Sequence, residues 1–272
     1  MNRTLQQLRE APVTAAVTIL CLGVFTLIHT VNTGFNSTET AIIFGAYYKA
    51  LISGGEIWRL LTCAFVHVDL WHIFGNLYSF LIMGPILEKL FGSKKYSLLL
   101  FGSVIGSSLF IYAFQGNLVT VGLSGGLYGL MAALFMILKR FGVLNDPRMR
   151  SAVVSTIVIN VLINFMPGIS YMGHLGGFLT GLLLGSCLIE NGSRMKRVTA
   201  LFCVYAAALC ICAWSHREIP ADEIYLITDL DVLQYEKDHL NAAWAEQVAK
   251  NLDRMYSETT GENLIYLEQN LQ

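Results

Sequence analysis

Charge is scarce in this chain of 272 residues. Only 14% are Asp, Glu, Lys or Arg, against 54% hydrophobic residues, a balance that excludes an ordinary soluble domain with a hydrated, charged surface. A net charge of −1 leaves no basic excess and gives no reason to expect a nucleic-acid partner. Paired cysteines are missing as well. Cys21, Cys63, Cys187, Cys203, Cys210 and Cys212 fall mostly inside apolar runs without CxxC pairs or regular spacing. That pattern supports neither a disulfide framework nor a zinc site, and the cysteines read as small core residues. No cofactor or metal is expected.

What the chain does have is long apolar runs. A bilayer core about 30 Å thick takes about 20 helical residues to cross, fewer where a helix starts below the surface. Seven stretches qualify, at roughly 13–31, 69–88, 96–114, 123–138, 151–167, 172–189 and 199–214. The expected fold class is therefore an all-α membrane protein. The first stretch has the look of a signal peptide, but its length and the six that follow favour its retention. A cytoplasmic N-terminus (1–12) is followed by a six-helix core (13–190), a linker with a seventh span (191–214), and an acidic extracytoplasmic tail (215–272).

The orientation follows from the bases, because short cytoplasmic loops retain Lys and Arg. Arg3 and Arg9 precede the first span, Lys89, Lys94 and Lys95 follow the second, Lys139, Arg140, Arg148 and Arg150 follow the fourth, and Arg194, Lys196 and Arg197 follow the sixth. The alternate connections 115–122 and 168–171 carry no charge. The N-terminus is then cytoplasmic and the C-terminal tail lies on the opposite face. That tail holds 12 of the 19 acids and 4 of the 18 bases.

Polar groups inside a span cost several kcal/mol unless they meet a partner or a wet cavity, so each is a functional candidate. His72 and Asn76 lie in the second span, Ser124 in the fourth and His174 in the sixth. His72 precedes Glu88 by 16 residues, Ser124 precedes Lys139 by 15, and His174 precedes Glu190 by 16. At about 1.5 Å per residue all three sit about 22–24 Å above the inner boundary, in one layer near the outer surface. His72 and Asn76 share one helix face, as do Ser124 and Tyr128, and His174, Gly177 and Gly181 form one stripe. Glycines at 122, 125, 126 and 129, and at 173, 176, 177 and 181, allow the fourth and sixth helices to approach closely.

These residues resemble a known family. The segment GLSGGLYG around Ser124 is similar to the rhomboid GxSG motif with Tyr128 four positions on, and His174, Gly177 and Gly181 match the HxxGxxxG pattern. Residues 67–76, HVDLWHIFGN, resemble the family's HxxxxHxxxN, and Trp58-Arg59 its WR pair. The resemblance covers the six-helix core but not the tail, and implies a six-plus-one rhomboid layout. It implies an intramembrane serine endopeptidase with a dyad of Ser124 as nucleophile and His174 as base. Tyr128 would pack on that base, and His72, Asn76 and the Ser124 backbone N–H would form the oxyanion hole. Gly122 and Gly125 would shape the loop-to-helix turn, and His67 would border a cavity open to the exterior. No Asp or Glu lies at the common depth, which agrees with a dyad; Asp69 more simply marks the start of its helix. The implied partners are single-span transmembrane substrates, cut near their outer ends after sideways access between the second and fifth helices, together with membrane lipid.

Taken singly, each feature has a plainer reading. A membrane Ser bonds back to its own helix, His72 with Asn76 forms an interhelical pair, and Trp58-Arg59 anchors at the interface. Two rival functions remain open: a transporter, though no inverted repeat or mid-membrane charge supports it, and a silent rhomboid-like quality-control factor, though Ser124 and His174 are both kept. In the tail, Leu240, Trp244, Val248, Leu252 and Met255 predict one apolar helical stripe ending at Thr260-Gly261. It serves either packing or the binding of a protein partner. Asn36-Ser37-Thr38 forms a glycosylation sequon, relevant only in a secretory compartment. The surface topology implies the plasma membrane.

Overall fold

A computed structural model describes residues 10–31, 33–190, 192–219 and 223–271, with only the backbone at 223 and 224. Arg3 and Arg9 lie outside the described residues. The chain is an all-α, multi-pass membrane protein. Among the described residues, five helices are long and apolar enough to cross a bilayer: α1 (Pro12–Thr30), α5 (Leu70–Phe91), α6 (Ser93–Phe114), α9 (Tyr171–Ile189) and α10 (Gly192–Ser215). The short helices α2 (Ser37–Ile43), α3 (Lys49–Gly54) and α4 (Arg59–Thr62) lie between α1 and α5. Two further long helices, α7 (Ser124–Arg140) and α8 (Pro147–Ile163), have 17 residues each. The tail folds as α11 (Glu223–His239), α12 (Ala242–Thr260) and α13 (Tyr266–Asn270).

Helix ends are set by specific groups. Pro147 starts α8 at its first position, behind an Asp146 side chain that accepts from Arg148 N at 2.9 Å. This places α8 four residues earlier than the hydropathy of 151–167 suggests, and 164–167 follow the helix end instead. Asp69 caps α5 by accepting from His72 N at 2.7 Å. Glu88, buried near the other end of α5, accepts from the N–H groups of Val13 and Thr14 at 2.9 Å each. A carboxylate from one span thus satisfies the free donors that open another. Asn36 of the sequon caps α2 in a reciprocal arrangement with Glu39.

The centre of the molecule is the triple packing of α6, α7 and α9. Here α7 and α9 touch through backbone, because a Cβ on Gly177 would strike the carbonyl group of Gly125 and one on Gly181 would strike Gly129. On the other side of α7, Ser107 and Ser103 of α6 close on Gly125 and Gly129. By contrast, α8 buries none of its residues. Cysteine burial is mixed: Cys21 and Cys63 are core residues, whereas Cys203 and Cys210 are exposed on α10, as are its apolar residues Leu201, Val204 and Ile211.

One small ribbon pairs β1 (Tyr47–Tyr48) with β2 (Val119–Thr120), antiparallel, with Tyr47 opposite Thr120. It joins the segment between α1 and α5 to the turn before α7. That segment also binds the tail. Ile42, Tyr48 and Leu51 share one apolar cluster with Val232, Leu233, Val248, Leu252, Tyr256 and Leu267. The predicted tail stripe is therefore used in packing; only Leu240, just before α12, is left exposed. Arg59 is no interfacial anchor, since it is 1% exposed. Its guanidinium donates to Glu56, to the Ile42 carbonyl, and to Glu236 of the tail at 2.8 Å. Trp58 stays partly exposed, its ring 5.2 Å from that of Trp244.

Candidate active site

Ser124 is the first residue of α7, held there by the preceding turn. Gly122 adopts φ +108°, a region that side chains other than hydrogen rarely enter, and its N–H donates to the Cys63 carbonyl at 2.9 Å. His174 lies one turn into α9, whose first turn is capped by Ser170 Oγ accepting from Gly173 N. The glycine contact between α7 and α9 brings the two side chains together: His174 Nε2 lies 3.0 Å from Ser124 Oγ. The imidazole is 7% exposed. Tyr128, one turn below Ser124, stacks its ring on the imidazole with centroids 4.0 Å apart and planes inclined by 13°.

The other ring nitrogen of His174 has a partner that the sequence reading missed. Nδ1 lies 2.8 Å from Oδ1 of Asn164, at the end of α8. Asn164 Nδ2 donates to the Tyr128 hydroxyl at 2.9 Å and to the Asn160 carbonyl at 2.7 Å, and the Tyr128 hydroxyl donates to that same carbonyl at 3.1 Å. The missing signal was present in the sequence. Asn160 and Asn164 are polar residues one turn apart inside the fifth apolar stretch, and a search restricted to carboxylates passes over them.

His72 and Asn76 are placed differently from each other. The His72 ring packs against Gly122, where a Cβ would collide with Nε2, and so lies beside the turn that presents Ser124. Asn76 is buried, but its Nδ2 donates to the His72 carbonyl at 2.9 Å, and its Oδ1 has no hydrogen-bond partner among the described residues. His67 is enclosed by protein rather than bordering open space. Its ring meets that of His72 edge-on at 5.0 Å, and neither of its nitrogens is hydrogen-bonded among the described residues.

Two cavities adjoin the pair. A small one of about 20 Å³, lined by Ser107, Ser108, Thr120, Ser124, Ser170 and His174 among others, is the size of one water molecule. A larger one of about 670 Å³ lies between α7, α8 and α9 and is walled by Met131, Ile157, Val161 and Phe178, with Tyr128, Asn164 and His174 at its polar edge. Chemically, the arrangement joins a hydroxyl to a buried imidazole with its second nitrogen engaged, beside an apolar chamber that can hold a side chain.

A comparison with protein families matches residues 54–191 to the rhomboid domain. Among similar proteins, Rhomboid-like protease 1 of Toxoplasma gondii is 37% identical over 148 residues, 52% of this chain and 50% of that protein. The Bacillus subtilis rhomboid protease GluP is 29% identical over 187 residues, 66% of this chain and 36% of its own length. An Arabidopsis thaliana relative named Inactive RHOMBOID-like protein 8 is 35% identical over 138 residues, 50% of this chain and 39% of that protein. The chain spans about half or less of the length of these curated relatives.

Proposed function

The chain belongs to the rhomboid family, and from that premise we propose that it is an intramembrane serine endopeptidase in which Ser124 attacks and His174 is the base. The observation that carries this reading is the 3.0 Å separation of Ser124 Oγ and His174 Nε2, a geometry suited to proton transfer. In the first step Oγ bonds to the scissile carbonyl carbon, the carbonyl π pair moves onto oxygen, and the Oγ proton passes to Nε2. Collapse breaks the C–N bond as Nε2 returns that proton to the leaving nitrogen. Water then repeats the sequence on the acyl-enzyme.

The developing oxyanion needs preorganised donors, worth about 3 to 4 kcal/mol each. We assign this role to the Ser124 backbone N–H, the His72 ring and the Asn76 amide. The Asn76 amide must exchange its bond to the His72 carbonyl for the oxyanion. Substrates are single-span membrane proteins cut near the outer end of their helix, where weakly helical residues expose the peptide bond. They approach sideways between α5 and α8. The layout is six core spans plus α10 as a seventh, in the plasma membrane, with the N-terminus cytoplasmic and the site open to the outside. The alternation of basic connections supports that orientation.

The competing reading is a rhomboid-like protein without catalysis, a class to which one relative's name points. Reconstituted protein treated with a fluorophosphonate or isocoumarin probe should label at Ser124, and a single-span test substrate should be cut within its membrane segment. Ser124→Ala should abolish both. Absence of labelling and cleavage in the unmodified protein would overturn the protease assignment.

A further inference from the structure

We propose that Asn164 is a positioning residue that fixes the tautomer of His174 through a one-directional relay of hydrogen bonds starting at the main chain of α8. This rests on the reading of Ser124 and His174 as the reacting pair. The direction of the relay follows from its first member, because the Asn160 carbonyl can only accept. Its 2.7 Å contact with Asn164 must therefore be made by the amide NH₂ group. The 2.9 Å contact with the Tyr128 hydroxyl is made by that same NH₂ group. Both donor contacts fix which end of the amide is nitrogen, and the oxygen is left facing His174 Nδ1 at 2.8 Å.

An amide oxygen has no proton to give, so Nδ1 must carry the hydrogen in the neutral imidazole. Nε2 then presents its lone pair to the Ser124 hydroxyl at 3.0 Å, the arrangement a base requires. When Nε2 takes the Oγ proton, the imidazolium keeps its Nδ1–H on the Asn164 oxygen. The partial negative charge there faces the new positive charge. Elsewhere a carboxylate fills this place in serine hydrolases. Within a bilayer a carboxylate carries a heavy desolvation cost, and a neutral amide supplies the acceptor without it. Stacking of Tyr128 fixes the plane of the ring, while Asn164 fixes which nitrogen is protonated.

A plainer role for Asn164 would be to end α8 and tie it to α7. Two measurements separate the roles. The full-length protein is reconstituted with a single-span substrate, and kcat, KM and Tm are compared for the unmodified protein, Asn164→Ala and Asn164→Asp. In parallel, the protein labelled with ¹⁵N-histidine is examined by NMR, with His174 assigned by comparison with His174→Asn. The expected result is an Nδ1–H tautomer at His174 in the unmodified protein and a mixture of tautomers in Asn164→Ala. In that variant kcat should fall by about tenfold to a hundredfold with KM nearly unchanged, and Asn164→Asp should recover much of the loss.

An Nε2–H tautomer in the unmodified protein would overturn the proposal. So would an unchanged kcat in Asn164→Ala, or a fall in activity that only follows Tm and that Asp does not rescue. If the unmodified protein cuts nothing, the protease assignment fails instead, and the NMR comparison still decides the tautomer.

Discussion

Gly177 of α9 lies so close to the carbonyl of Gly125 in α7 that no methyl group fits between them. The neighbours are backbone atoms, which cannot turn aside. Substitution Gly177→Ala should therefore push α7 and α9 apart and separate Ser124 from His174. Overpacking of this kind costs about 1–3 kcal/mol, and the loss of probe labelling at Ser124 should exceed the loss of thermal stability. Gly23, on the first span with open space around it, is the control. Gly23→Ala should leave labelling unchanged and Tm equal or slightly raised.

The buried trio Glu56, Arg59 and Glu236 predicts an unequal pair of variants. Arg59→Ala leaves two buried carboxylates without a cation, a situation that costs about 3–5 kcal/mol. Glu236→Gln keeps an acceptor for the guanidinium and leaves Arg59 paired with Glu56, so its cost should be about 1 kcal/mol. Hydrogen exchange in 242–260 should rise strongly in the first variant and weakly in the second. Equal exchange in both would contradict the arrangement.

Acidity should affect the tail in a direction opposite to most carboxylates. Burial pushes the Asp229 carboxyl up to about 7, although the Tyr256 hydroxyl, donating at 2.5 Å, holds it down in part. Burial and the neighbouring Glu56 raise Glu236 as well. The unfolded chain releases the Asp229 proton near its ordinary value of about 3.9, so the folded tail binds protons more strongly. Its extra stability is complete below about pH 4 and is lost as pH rises through about 7. Exchange protection of 242–260, corrected for intrinsic rates, should be greater at pH 5 than at pH 8. Asp229→Asn should reduce that dependence, leaving the part that Glu236 contributes.

Hydropathy made the long helices legible, but it marks the part of a helix that meets lipid rather than the whole helix. That is why 199–214 lies inside the longer Gly192–Ser215, whose first turns carry Arg194, Lys196 and Arg197. Depth and glycine spacing put Ser124 and His174 in one layer because both depend on local periodicity, but pairing them as a dyad rests on the rhomboid resemblance. Asn160 and Asn164 stand out as a polar pair inside the fifth apolar stretch, but that Asn164 meets His174 depends on where α8 ends relative to α9, which no spacing encodes. The folding of 33–66 onto the tail was equally hidden. Arg59 reads as a surface anchor until Glu236, 177 positions later, is seen to reach it.

That separation sets a timetable for biosynthesis. At about 5–20 residues per second, the ribosome needs roughly 10 to 35 seconds to travel from Arg59 to Glu236. Throughout that interval the guanidinium lacks its distant counter-charge, and the apolar residues Ile42, Tyr48 and Leu51 have no cover from α11 and α12. The segment ahead of α5 therefore reaches its final form only after every long helix has been made, and a chain that stops short of the tail leaves Ile42, Tyr48 and Leu51 uncovered.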